Sequence, residues 1–135
     1  MTDRHRQVID EFRASHGRPG GFLAGLTLLL LTTTGARSGQ RRTTALTYHP
    51  DGDGRYVVLA ANGGQDRGPD WLHNLIADPA VTLEVGDEEF TATARVESGA
   101  ERDRLYAAFA ADNPQVHGYA ARRTKPIPVV TLNRI

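Results

Sequence analysis

"LTLLLLTTTGARSGQRRTTALTYHPDGDGRYVVLAA", residues 26–61, decides the fold. Its first nine residues are continuously apolar or β-branched, which predicts a strand over 26–34 covered on both faces. Gly35 and Gly39 then bound a tight turn. Beyond it, two β-rich runs flank Pro50, Asp51, Gly52, Asp53 and Gly54, a segment with the turn chemistry of a hairpin. Strands this close in sequence have no room for crossover helices, so they pair antiparallel.

The same alternation returns downstream. "VTLEV" and "EEFTATARV" flank Gly86 and Asp87 and read as a second hairpin, and "IPVVTLNRI" reads as a closing strand whose Pro128 belongs at an edge or at strand entry. Three helices are predicted between and before these strands. "RQVIDEFRASHG" places Val8, Ile9 and Phe12 on one side and stops at Gly17. "PDWLHNLIADP" repeats Trp71, Leu72, Leu75 and Ile76 at helical spacing between two prolines. "SGAERDRLYAAFAAD" starts at Ser98 as candidate cap, with Leu105, Tyr106 and Phe109 directed to a core. About six strands with two or three helices and short connections define a mainly β, α+β chain curled into a small closed or half-open barrel. The expected organisation is an N-terminal helix and linker over 1–21 and a single barrel domain over 22–135.

Composition narrows the function. The 135 residues carry 16 Lys plus Arg against 16 Asp plus Glu, so no long-range field recruits nucleic acid or an anionic membrane. Cysteine is absent, which removes disulfides and thiolate metal sites. The longest apolar stretch, Phe22 to Leu31, is broken by Gly25 and Thr27 and reaches only about half the roughly 20 residues a membrane span needs. The polar N-terminus is unlike a signal peptide, and the expectation is a soluble cytoplasmic protein. The five histidines, at 5, 16, 49, 73 and 117, have no metal-ligand spacing, and no GxSxG nucleophile elbow occurs.

Two glycine-bounded segments remain. "TGARSGQRR" sets three arginines and Ser38 on a turn whose N–H groups can form an anion nest, and it lacks the GK[ST] ending of a triphosphate-binding loop. The residues alone leave two readings open, a solvated turn or a grip on phosphate and carboxylate. "LAANGGQDRGPDW" follows a strand, and Gly63 and Gly64 leave backbone bare where a flat ring can approach. A plain loop into the next helix is equally compatible. Trp71 and Asn74 share one helix face, the first as core, the second holding a neighbouring loop or touching a ligand. His117 and Tyr119 either donate a proton near a ligand or pack.

Taken in order, "LLLTTTGARSGQRRTTAL", "YVVLAANGG", "PDWLHNLIADPAVTLEV", "ERDRLYAAF" and "RRTKPIPVVTLNR" resemble the deazaflavin-dependent nitroreductase family, whose members use reduced coenzyme F420. The resemblance spans about residues 26–134. It implies a split β-barrel of the flavin-reductase and pyridoxamine-phosphate-oxidase type. It also implies a reductase that passes hydride from the coenzyme to a small conjugated acceptor, a quinone, enone or nitro compound. By position, Arg37, Ser38, Gln40 and Arg42, with Arg41 beside them, meet the phosphate and acidic tail. Ala60, Ala61, Asn62, Gly63 and Gly64 line the deazaflavin ring, supported by Trp71 and Asn74, and Tyr119 matches a tyrosine near the substrate pocket, the candidate catalytic residue that helps to protonate or orient the product. Relatives that reduce nitroimidazoles carry Ser and Lys at the positions of Ala61 and Asn62 and an aromatic at that of Val116. The alternative reading is a carrier for the same coenzyme, or for a flavin such as FMN or a haem. No metal is expected. Monomer and homodimer both remain open, and the N-terminal segment either covers the pocket or associates peripherally with a membrane.

Overall fold

A computed structural model describes residues 3–18, 20, 21, 25 and 27–135. The proposed domain boundary at 22 and the proposed strand start at 26 lie outside these residues. Helix α1 (Asp3–Ala14) precedes strands β1 (Leu28–Thr34), β2 (Arg41–Thr47), β3 (His49–Pro50) and β4 (Arg55–Leu59). A short 3-10 turn (Asn62–Gly64) and α2 (Asp70–Ala77) follow, then β5 (Ala80–Val85), β6 (Glu88–Val96), α3 (Gly99–Asp112), α4 (Val116–Ala121) and β7 (Val129–Arg134). One seven-stranded sheet runs β2-β1-β5-β6-β7-β4-β3, and every pairing in it is antiparallel. Its two edge strands are consecutive in the chain with only Tyr48 between them. The sheet therefore curls until one bent segment joins its edges, which is the predicted split barrel.

The seventh strand is β3, which the sequence reading merged with the run before it. Arg41–Thr47 pairs back onto β1 from Leu28↔Thr47 to Thr34↔Arg41, leaving only His49 and Pro50 to face Val57 and Tyr56. The expected hairpin across 51–54 is thus two residue pairs long. An edge position suits Pro50, which has no N–H to give a neighbour.

Periodicity sorts the core into layers. Leu29 and Leu31 of β1, Val58 and Ala60 at β4, and Val130 and Leu132 of β7 point into the barrel, where α2 adds Trp71, Leu72 and Leu75. Leu30 points the other way, under Ile9 and Phe12 of α1, so β1 is covered on both faces as its composition predicts. Val57 and Val129 face outward beneath Leu105, Phe109 and Val116 of α3 and α4.

One expectation needs correction and two are met. Ile76 does not join the core but is 62% exposed, because α2 turns only its other side to the barrel. Ser98 occupies the cap position of α3 without a side-chain capping bond. Pro128 stands at strand entry, one of its two expected positions, since β7 lies between β6 and β4 and is not an edge strand; its carbonyl accepts the Ala60 N–H. Helix α4 carries no strong apolar period and was not anticipated.

Candidate active site

The β1–β2 connection is a compact loop. Gly35 N–H donates to Gln40 O at 2.7 Å and Gly39 N–H to Gly35 O at 2.9 Å, while Ser38 Oγ accepts the Gln40 N–H at 3.1 Å. Gly39 has φ +71°, a left-handed value glycine adopts without strain. The loop forms one wall of an open cleft of about 1210 Å³ that also includes Thr33, Asn62, Arg67, Trp71 and Asn74. That volume slightly exceeds the usual range for small-ligand sites and suits a coenzyme-sized molecule.

The three arginines separate. Register sets Thr33 opposite Arg42 and Thr34 opposite Arg41, so adjacent arginines leave the strand on opposite faces. Arg41 reaches Thr34 Oγ1 and Thr82 Oγ1, both at 2.8 Å. Arg37 and Arg42 line the cleft, and among the described residues neither guanidinium has an ion-pair or hydrogen-bond partner. Most arginines here do: Arg13 meets Glu84, Arg55 meets Asp51, Arg104 meets Asp51 and Glu101, and Arg134 meets Glu88. Two guanidinium groups without a partner beside one concavity have the chemistry to close on phosphate or carboxylate.

On the facing wall, Asn74 is 8% exposed. Its Oδ1 accepts the Ala36 N–H at 3.0 Å and its Nδ2 donates to Thr33 Oγ1 at 3.2 Å. Of the two roles the sequence left open, it fulfils the first, tying the arginine loop to α2. Trp71 is both core and cleft wall.

Of the second glycine segment, Asn62 reaches the cleft. Asn62, Gly63 and Gly64 all have left-handed φ, +46°, +64° and +91°, and Asn62 Nδ2 donates to Arg67 O at 2.7 Å. Ala60 is buried. Tyr119 does not line the cleft. It sits half-buried on α4, its carbonyl within 3.1 Å of where a Gly64 Cβ would stand.

The sequence reading missed His5 on the cleft's far wall, whose Nε2 accepts the Ala45 N–H at 3.3 Å, and it missed Thr33. Both are local residues whose partners lie about forty positions away, so no short-range pattern announces them. Asp66 was also missed. Hydrogen bonds from the Thr124 hydroxyl and N–H hold its carboxyl below the ordinary range. Among the described residues, no helix is long and apolar enough to cross a membrane.

The fold and the site define a split barrel with an open, arginine-lined cleft of a size that suits a coenzyme. Residues 4–134 match the model of the F420H(2)-dependent quinone reductase family, and the chain belongs to that family. It is 42% identical over 127 residues to an F420H(2)-dependent quinone reductase of Mycobacterium tuberculosis, covering 91% of this chain and 85% of that protein. A solved F420-H2 dependent reductase, FDR-A, superposes with a TM-score of 0.73 at 31% identity over 79% of this chain and 94% of that one. A pyridoxamine 5'-phosphate oxidase fold from Listeria innocua, at 12% identity and a TM-score of 0.58, covers 80% of this chain and 83% of its own and shares the fold alone. The chain is thus an F420H(2)-dependent reductase, with coenzyme F420 as its hydride carrier and a quinone as the acceptor class of its family.

Proposed function

We propose that the cleft holds coenzyme F420 with its anionic tail on Arg37 and Arg42 and its ring on the turn at 62–64, and that enones and nitro compounds join quinones as acceptors. The observation that carries this is the pair of cleft-facing guanidinium groups without a counter-ion among the described residues. The reduced deazaflavin, when bound, supplies the hydride.

The chain's own residues supply placement. Ser38 and Gln40 shape the loop that presents Arg37, Asn74 holds that loop to α2, and Trp71 gives the ring an apolar wall. Asn62 and Gly63 offer bare, left-handed backbone for close approach. Tyr119 stands outside the cleft's lining, on the helix against which Gly64 packs, so its hydroxyl protonates or orients the product of an acceptor bound on the α4 side of the turn at 62–64. Arg41, spent on Thr34 and Thr82, supports the sheet and not the tail.

Anaerobic mixing with the reduced coenzyme and a panel of quinones, enones and nitroarenes tests the reading. Oxidation of the coenzyme is expected with at least the quinones, with no turnover when reduced FMN replaces it. Failure with every acceptor overturns it. Tyr119→Phe is expected to leave coenzyme affinity intact and lower turnover; unchanged turnover removes Tyr119 from the chemistry.

A further inference from the structure

Two loops sixty residues apart exchange hydrogen bonds behind the turn at 62–64. Arg123 Nη1 donates to the carbonyl oxygens of Ala60 and Ala61, each at 3.3 Å, and of Gln65 at 2.8 Å. Its Nε reaches Lys125 O at 3.1 Å and its Nη2 Pro126 O at 3.5 Å. In return, Asp66 accepts the Thr124 N–H at 2.8 Å, the Thr124 hydroxyl at 2.7 Å and the Lys125 N–H at 3.4 Å.

A guanidinium presents five N–H groups in a rigid plane and is best matched by a carboxylate. Here it is spent entirely on backbone carbonyls, although Asp66 is close enough to feel its charge. The turn itself is made of three left-handed residues, and its own closing bonds are Gly64 N–H to Ala61 O at 2.9 Å and Gln65 N–H to Asn62 O at 3.2 Å. A segment so short and rich in glycine does not hold one conformation by itself. Arg123 fixes its entrance and exit, and Asp66 fixes Arg123's own loop.

We propose that Arg123, secured by Asp66, is a positioning residue that sets the turn against which the coenzyme ring registers. This rests on the ring placement proposed above. The tail contacts lie on a different loop, 35–42, so loosening the clamp separates affinity from chemistry. The tail stays bound while the ring loses its alignment with the acceptor, to which hydride transfer is steeply sensitive.

Four measurements decide it. Arg123→Ala is expected to lower kcat at least about tenfold while coenzyme Kd moves less than about threefold, since the tail contacts are untouched. Arg123→Lys, keeping the charge with fewer donors, is expected to recover part of the loss. Amide hydrogen exchange at Gly64 and Gln65 is expected to accelerate in Arg123→Ala without any coenzyme present. Asp66→Asn is expected to shift the same readouts in the same direction and serves alone if Arg123→Ala does not fold. Unchanged exchange at Gly64 and Gln65, or equal losses in kcat and affinity, overturns the proposal. Wild-type protein that neither binds nor oxidises the reduced coenzyme sinks the functional reading instead, and the exchange measurement still decides the clamp.

Discussion

The side-chain oxygen of Asn74 accepts the Ala36 N–H across 3.0 Å, while its amide donates to Thr33 Oγ1 at 3.2 Å. One buried side chain on α2 thus fixes both the end of β1 and the start of the loop that carries Arg37. Asn74→Leu keeps the γ-branched shape in a larger side chain and removes both bonds, stranding a backbone donor and a buried hydroxyl at a cost of about 1–3 kcal/mol. Urea unfolding should show that loss, and coenzyme titration should show weaker binding, because Arg37 follows Ala36 directly. Full stability in Asn74→Leu contradicts the linkage.

The three arginines make a discriminating set. Arg37→Ala and Arg42→Ala should each weaken coenzyme binding by about 1.5–3 kcal/mol, the scale of a hydrogen bond to a charged group. Arg41→Ala should leave affinity nearly unchanged and lower stability, since its two arms are taken by Thr34 and Thr82. Fluorescence titration of the three variants separates these outcomes. Equal losses in all three would mean that charge near the cleft matters and geometry does not.

That contrast marks how far the residues alone reach. The β1–β2 and β5–β6 hairpins, α1, α2 and α3 are legible because each is a local pattern closed by glycine or proline. Tyr48 is different: "TTALTYHP" reads as one strand, and only the closure of the sheet bends it into two. The site divides in the same way. "GARSGQRR" announces an arginine turn, yet which arginine faces the cleft depends on register across the hairpin. Arg123 and Asp66 carry no signal at all, since a guanidinium bound to carbonyls from residues 60, 61 and 65 is a consequence of tertiary placement.

Acid should act on two carboxylate clusters. Hydrogen bonds from Arg104 hold the Asp51 carboxyl below its ordinary value, with Arg55 adding to the effect, and Arg104 does the same to Glu101. Bonds from Thr124 lower Asp66. A carboxyl lowered in the folded state contributes stability above its unfolded value of about 4 and loses it as pH falls through the lower folded value. Thermal unfolding is therefore expected to be flat from neutral pH down to about pH 5 and to decline below about pH 4. Arg104→Ala should make that acid decline shallower by freeing Asp51 and Glu101 to titrate normally. An unchanged slope would show that the cluster around Asp51 does not govern acid stability.

Gly17 stands with φ +79° against the tight turn of the β5–β6 hairpin, and a Cβ on it would lie 2.5 Å from the Gly86 Cα and carbonyl oxygen. The backbone contact seats the end of α1, with Arg13 paired to both oxygens of Glu84 at 3.0 and 2.9 Å and His16 bound to Asp87 at 2.8 Å. Gly17→Ala meets two penalties at once, a left-handed conformation that costs about 1–2 kcal/mol for an L-residue and a clash that only undocking relieves. The melting temperature should fall by about 4 °C or more. Arg13→Ala, which removes a pair whose arginine is half exposed, should cost no more than about 1 kcal/mol. Because α1 also delivers His5 to the edge of β2 and to the cleft wall, Gly17→Ala should weaken coenzyme binding while Arg13→Ala does not. Equal melting temperatures for the two variants would place the seat of α1 in its ion pairs and not in the close approach of two glycines.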